Sequence, residues 1–295
     1  MFCNICPRNC NVDRKLSSGF CKEKGLKINC AQKHFYEEPI ICNEKGSGAI
    51  FFSGCNLKCI YCQNYKISSE NLGIDITVNE LALIMKKLEE MGCININLVT
   101  PTHYVNEIIE ALKIYKPKIP IVYNTSGYEK PQTIERLKNF VDIFLFDLKY
   151  FDKNLSREYS KAENYFEFAS QSLLKAREIV PDDIIENGIM KKGIIIRHLM
   201  LPKASNDTIK IIDFVNEKFG NKVYFSLLNQ YTPYYKAKTH PILKNKVSSL
   251  EYKRAVCHLI NLGFTNAFTQ DCDSSCEDYI PSFEKPFNLK EFLED

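Results

Sequence analysis

Phe52-Ser53-Gly54-Cys55-Asn56-Leu57-Lys58-Cys59-Ile60-Tyr61-Cys62-Gln63-Asn64 places three thiols in a C-x3-C-x2-C array on one short loop. Thiolates so spaced can hold three irons of a [4Fe–4S] cube and leave the fourth iron without a protein ligand. An open iron can bind a small molecule, so such a centre can do chemistry as well as carry electrons. The competing reading is zinc or plain electron transfer. Zinc sites usually close with a fourth ligand nearby, and here no cysteine or histidine follows Cys62 until Cys93.

Working outward, Ala49-Ile50-Phe51-Phe52 is a short apolar run that reads as a buried strand leading into the loop. Downstream, strand-like and helix-like segments alternate. Strands are expected at 94–99, 119–124, 141–148, 193–201 and 222–228. Helices are expected at 81–91, 105–115, 132–140, 166–178, 208–219 and 248–262. Thr77-Val78-Asn79-Glu80 is a capping box for the first of these, and Gly92 and Gly263 supply stops. Six strand–helix units imply a parallel sheet with right-handed crossovers. Six are too few to close an eight-stranded barrel, so the expected fold is α/β, an open partial (βα)6 TIM-like barrel. Ligands of such folds gather at the carboxyl ends of the strands, where the cysteine loop falls. The last segment, 266–295, shows little pattern.

The chain has 295 residues, of which 45% are hydrophobic, enough for one large α/β domain. A formal charge of +3 argues against a dedicated nucleic-acid binder. Lys15, Lys22, Lys24 and Lys27 form a basic stretch, read as a solvated face or a docking site for an acidic electron donor. No apolar run reaches the length of a membrane span and no signal-peptide core stands at the start, so a cytoplasmic location is expected. In a reducing compartment disulfides are rare. Thirteen cysteines, seven of them in two tight clusters, therefore point to metal.

The triplet, placed directly after a first strand in a (βα) repeat, resembles the radical S-adenosylmethionine (SAM) superfamily over residues 46–270. The resemblance implies a [4Fe–4S] cluster whose open iron chelates SAM. An electron from the cluster then cleaves the sulfonium bond to give a 5′-deoxyadenosyl radical that abstracts hydrogen. Finer detail is similar to the pyruvate formate-lyase-activating branch. Asn124-Thr125-Ser126-Gly127, Asp147-Leu148-Lys149 and Arg197-His198-Leu199-Met200-Leu201-Pro202 stand where that branch has its segments at the ends of strands three, four and five. By that resemblance Thr125 and Asp147 hold the SAM carboxylate, directly or through a monovalent cation. Arg197 and Leu199 lie against SAM, and Tyr61 contacts adenine. Val99-Thr100-Pro101-Thr102-His103 replaces the family's Gly-Gly-Glu, which leaves Thr100 as a candidate for the SAM ammonium. His103 is either a pocket base or polar helix-start chemistry. The implied partners are flavodoxin or ferredoxin as electron donor and a glycyl-radical enzyme as target. A peptide or small metabolite is the alternative substrate, and a non-catalytic iron–sulfur or zinc protein the alternative of another class.

Residues 1–44 read as a separate cysteine-rich segment before a core at 45–270 and a tail at 271–295. Cys3, Cys6, Cys10 and Cys21 offer four sulfurs, which close either a zinc site or a complete second [4Fe–4S] cluster. A stretch with so little apolar periodicity folds poorly without such a centre. Cys30, Cys42, Cys93 and Cys257 read as small core residues. Cys272 and Cys276, in an acidic loop, read as a redox pair or a radical relay. Gln230, Tyr231, Tyr234 and Tyr235 end strand six, as pocket lining or as packing.

Overall fold

The computed structural model describes residues 2–271, 283 and 287–294. Its strands are β1 (Lys27–His34), β2 (Ser47–Phe52), β3 (Ile74–Asp75), β4 (Ile96–Val99), β5 (Ile121–Thr125), β6 (Ile143–Asp147), β7 (Ile184–Glu186), β8 (Ile189–Leu199), β9 (Tyr224–Leu228) and β10 (Ala267–Thr269). The helices are α1 (Tyr65–Ser68), α2 (Val78–Glu90), α3 (Val105–Ile114), α4 (Pro131–Glu135), α5 (Lys153–Ser160), α6 (Tyr165–Ile179), α7 (Ser205–Lys218), α8 (Ser249–Asn261) and α9 (Leu289–Glu294). Cys272 and Cys276 lie outside the described residues.

One sheet runs in the order β10-β9-β8-β6-β5-β4-β2-β1-β3, with β7 hairpinned onto the start of β8. All neighbours from β2 to β10 along that path pair parallel. The six expected strands are there, in an open, mostly parallel sheet of the partial-barrel kind. Two features correct the sequence reading. The patternless C-terminal stretch adds a seventh parallel strand, β10. The segment before residue 45 supplies β1, which pairs antiparallel with β2 from Ile28 opposite Phe52 to His34 opposite Ser47. Helix starts are set locally, as at α2, where Thr77 Oγ1 accepts the Glu80 N–H at 3.1 Å and Glu80 Oε2 accepts the Thr77 N–H at 2.6 Å.

Strand alternation divides the core in two. Tyr123, Phe144, Phe146, Ile194 and Ile196 join the large layer under the helices. Val122, Ile143, Leu145 and Ile195 face the other way, into the barrel, where they pack on Ile40 and Ile41. Those two isoleucines belong to a 3-10 turn, Pro39–Ile41, in the β1–β2 connection. The chain thus fills the lower half of its own barrel with apolar side chains. The upper half, where Asn97, Asn124, Asp147 and Arg197 continue the inward alternation, is polar. That division places the site.

Candidate functional site

A cavity of about 250 Å³ opens at the carboxyl ends of the strands. Cys55, Cys59 and Cys62 line it together with Tyr61, Thr100, Asp147, Arg197 and Leu199. Gly54, directly before Cys55, has φ +78°, and a Cβ there would lie 2.7 Å from the Cys21 carbonyl oxygen. Only glycine permits that turn and that approach.

Each of the three sulfurs has a hydrogen-bond donor. The Leu57 N–H donates to Cys55 Sγ at 3.3 Å and the Ser160 hydroxyl to Cys59 Sγ at 3.0 Å. The Ser68 hydroxyl lies 3.2 Å from Cys62 Sγ. A second row stands behind Ser160. Tyr150 and Ser160 hydroxyls are 2.6 Å apart, as are those of Tyr61 and Tyr150. Ser160 has one proton and gives it to sulfur, so Tyr150 donates to Ser160 and Tyr61 donates to Tyr150. Burial pushes the Cys55 and Cys59 thiols up to about 11. Metal coordination overrides such a shift, since a coordinating thiol is deprotonated outright. Among the described residues no three His, Cys, Asp or Glu side chains are gathered closely enough to hold one metal ion. The triplet with its donors suits three corners of a larger cluster.

Asp147 anchors the polar wall. Arg197 Nε donates to Asp147 Oδ1 at 2.8 Å and Lys149 Nζ to Oδ2 at 2.7 Å. Burial alone would raise this carboxyl. The Arg197 and Lys149 charges outweigh burial and hold it below its ordinary value. With two cations already on it, Asp147 does not fit the expected monovalent cation as well: the Lys149 ammonium supplies that charge. Arg197 Nη2 also donates to Asn124 Oδ1 at 2.7 Å, and Nη1 lies 3.4 Å from Glu37 Oε2. Glu37 comes up from the barrel plug. Its side chain is 8% exposed and accepts a 2.7 Å bond from Asn97 Nδ2. Glu37 and Lys149 were not picked out as site residues in the sequence. The pair Glu37-Glu38 before Pro39, amid apolar residues, was the available signal.

Thr125, expected at the SAM carboxylate, does not line the cavity; Asn124 and Ser126 do. The Thr125 hydroxyl donates to Glu129 Oε1 at 2.5 Å, as do Thr102 at 2.6 Å and Tyr123 at 3.2 Å. Ser126 Oγ, by contrast, is buried with no protein partner and belongs to a cavity-lining residue. Gly127, with φ +81°, turns the chain away; a Cβ there would sit 2.2 Å from the Asp147 carbonyl oxygen.

Burial lifts Glu129 to about 7 from an ordinary 4.5, against its three hydroxyl donors. An acid raised in the folded state stabilises fully below about 4.5 and loses that contribution as pH rises through about 7. Glu129→Gln, neutral throughout, is therefore expected to match wild type at pH 4.5 and exceed it by up to about 3 kcal/mol at pH 8. Urea unfolding at the two pH values checks this.

Thr100 lines the cavity with φ +63°, a strained conformation for a β-branched residue. His103 is buried, 2.7 Å from the Ser53 carbonyl oxygen, and burial lowers it to about 3. It does not line the cavity. Gln230 and Tyr231 line the cavity, while Tyr235 stacks on Tyr65 with centroids 4.5 Å apart. Cys42 and Cys93 are buried and Cys30 is half-buried, but Cys257 is exposed on α8, not in the core. Cys3, Cys6, Cys10 and Cys21 lie outside the cavity lining. Among the described residues no helix is long and apolar enough to cross a membrane.

The open parallel sheet and the cysteine triplet at its carboxyl edge define a class. The family profile of the radical SAM superfamily matches residues 49–215, more than half of the sequence. The chain belongs to that superfamily, whose membership implies a [4Fe–4S] cluster and SAM. An uncharacterized protein of Methanocaldococcus jannaschii is 30% identical over 86% of this chain and 73% of its own length. A second protein of that organism, provisionally named a glycyl-radical enzyme activating enzyme, is 31% identical over 45% of this chain and 55% of its own. Among solved structures, Streptococcus suis SuiB bound to its precursor peptide SuiA superposes with a TM-score of 0.51 at 18% identity, covering 75% of this chain. The chain spans 47% of SuiB. A radical SAM methyltransferase from Sphaerobacter thermophilus gives 0.51 at 15% identity, over 78% of this chain and 69% of the other. These two likenesses concern the fold alone.

Proposed function

We propose that Cys55, Cys59 and Cys62 hold the cluster, that SAM occupies the cavity, and that the protein activates a glycyl-radical partner protein. When bound, cluster and SAM supply reductive cleavage of the sulfonium bond and hydrogen-atom abstraction. The residues of the chain do the rest. Lys149 and Arg197, both paired with Asp147, would offer the SAM carboxylate their remaining N–H groups. Ser126 Oγ offers it the hydrogen bond assigned in the sequence to Thr125. Tyr61, edge-on to Tyr231 at 6.0 Å, makes an aromatic wall for adenine. Thr100, which lines the cavity, would receive the ammonium. Val99, Leu199 and Leu228 give the lining an apolar side that excludes water.

The observation that carries the finer reading is the form of the site: the cavity opens at the carboxyl ends of the strands and the barrel is plugged from below by Ile40 and Ile41. A projecting loop of a partner protein, carrying a glycine, suits an entrance on that one side, and the M. jannaschii relative's provisional name agrees. The test is isotopic. Deuterium on glycine Cα of the partner protein should be recovered in 5′-deoxyadenosine. Deuterium arriving only from a small metabolite would contradict the reading.

The hydroxyl row also predicts a redox effect. A hydrogen bond to a ligating sulfur stabilises the reduced, more negative cluster. Ser160→Ala should lower the cluster's reduction potential by some tens of millivolts with iron content unchanged, as read by an EPR-monitored redox titration. An unchanged potential would remove Ser160 from the tuning role.

A further inference from the structure

We propose that Cys3, Cys6, Cys10 and Cys21 ligate a second [4Fe–4S] cluster, fully closed by protein, that passes electrons to the centre at Cys55, Cys59 and Cys62. The metal content of this second site stands apart from the reading of the cavity; the relay rests on it.

The segment around these thiols has almost nothing else to hold it. Between residues 2 and 25 there is no helix and no strand, only an isolated bridge from Phe2 to Asp13. The buried residues there are Ile5, Cys6, Pro7, Cys21 and Glu23. Yet the backbone is folded tightly. The Cys3 N–H donates to the Val12 carbonyl at 2.8 Å and the Asn11 N–H to the Cys3 carbonyl at 2.9 Å. Asn9, Asn11 and Lys22 take left-handed φ of 44°, 51° and 70°. Such turns wrap a loop around something, and a metal centre is the ordinary substitute for a missing apolar core.

The sulfurs are prepared as ligands. The Phe20 N–H donates to Cys10 Sγ at 3.2 Å. A Cβ on Gly19 would come within 3.0 Å of Cys10 Sγ, so the smallest residue stands beside that sulfur. N–H···S bonds of this kind surround cluster thiolates. Cys3, Cys6 and Cys10 lie within reach of one another's charge, but among the described residues no three such side chains close on one ion. Four thiols on one loop are the number that completes a [4Fe–4S] cluster, and the loop's contacts to the triplet give such a cluster a redox partner, which zinc would not need. None of the four lines the cavity, and four thiolates would leave no iron of the cluster open.

The loop is wired to the triplet. Arg8, two residues from Cys6, donates through Nε to the Asn56 carbonyl at 2.7 Å and through Nη1 to the Lys161 carbonyl at 2.5 Å. Asn56 is bonded directly to Cys55. The Arg8 guanidinium lies 3.7 Å over the Phe20 ring, beside Cys21 in sequence. The Cys21 carbonyl packs on Gly54, the residue before Cys55. Cys3 and Cys10 are only half-buried, and Lys15, Lys22 and Lys24 of the same segment are exposed. An acidic one-electron carrier protein of the flavodoxin or ferredoxin class fits that face. It would give up one electron, reduce the N-terminal cluster by one, and the same electron would pass on to the second cluster, leaving the first oxidised for the next turnover.

Anaerobically reconstituted wild type should hold about eight irons and eight sulfides per chain and no zinc, two clusters of four. The triple variant Cys55→Ala, Cys59→Ala, Cys62→Ala should keep about four irons and an EPR signal, after reduction, that SAM does not alter. Cys6→Ser with Cys21→Ser should keep the SAM-responsive signal, but its rate of reduction by reduced flavodoxin should fall at least tenfold. About four irons with one zinc in wild type would overturn the cluster. An unchanged rate of reduction in the double variant would overturn the relay.

Discussion

Cys59→Ala is expected to cut SAM-dependent 5′-deoxyadenosine formation by more than about a hundredfold, beyond the 10–100-fold that changes behind the ligands cost. Cys59 is the middle thiol of the triplet and the one that receives the Ser160 hydrogen bond at 3.0 Å. Without it the cluster would keep two protein ligands on that loop, and the Tyr61–Tyr150–Ser160 row would end on nothing. Iron should fall by about four per chain. Calorimetric SAM binding to the reconstituted protein should vanish in parallel. Full SAM binding by the variant would show that the ligand sits elsewhere.

Asp147→Ala is expected to be the most destabilising change in the cavity. It leaves Arg197 and Lys149, each 18% exposed, as neighbouring cations without their shared carboxylate. Removing one partner of such a buried pair costs about 3 kcal/mol or more. Glu37, 3.4 Å from Arg197, compensates in part. The pH dependence follows from the direction of the shift. Asp147 is held below its ordinary 3.8, so its contribution is present above that value and is lost as pH falls through the lower, folded one. Wild type and Asp147→Asn should therefore converge in stability below about pH 3 and diverge above about pH 4. Chemical denaturation across that range measures the effect. A constant gap would mean that Asp147 is not paired in the folded protein.

The first six parallel strands could be read in the sequence because each carries a mostly apolar run between helices, as buried parallel strands do. The elements that were missed depend on distant partners. β1, Lys-Ile-Asn-Cys-Ala-Gln-Lys-His, is half polar and owes its place to the neighbouring β2. α5 offers only Leu155 and Tyr159 as apolar residues; its start signal was Asp152, which caps the Asn154 and Leu155 N–H groups. β10 has three residues and no pattern of its own. Within the site, cysteine spacing showed the triplet directly. For Thr125 the motif names only a segment, whereas the strand's two-residue period decides which members face inward. That period sends Asn124 and Ser126 to the cavity and Thr125 to Glu129. Glu37 reaches the cavity only because the 3-10 turn after it fills the barrel below, a contact between residues far apart in the chain.

The most direct measurement is product formation by the reconstituted protein under anaerobic conditions, with dithionite and SAM. The account predicts 5′-deoxyadenosine and methionine in equal amounts, together with an EPR signal of the reduced cluster that changes when SAM is added. A fully loaded cluster that leaves SAM intact, with an EPR signal indifferent to it, would contradict the account.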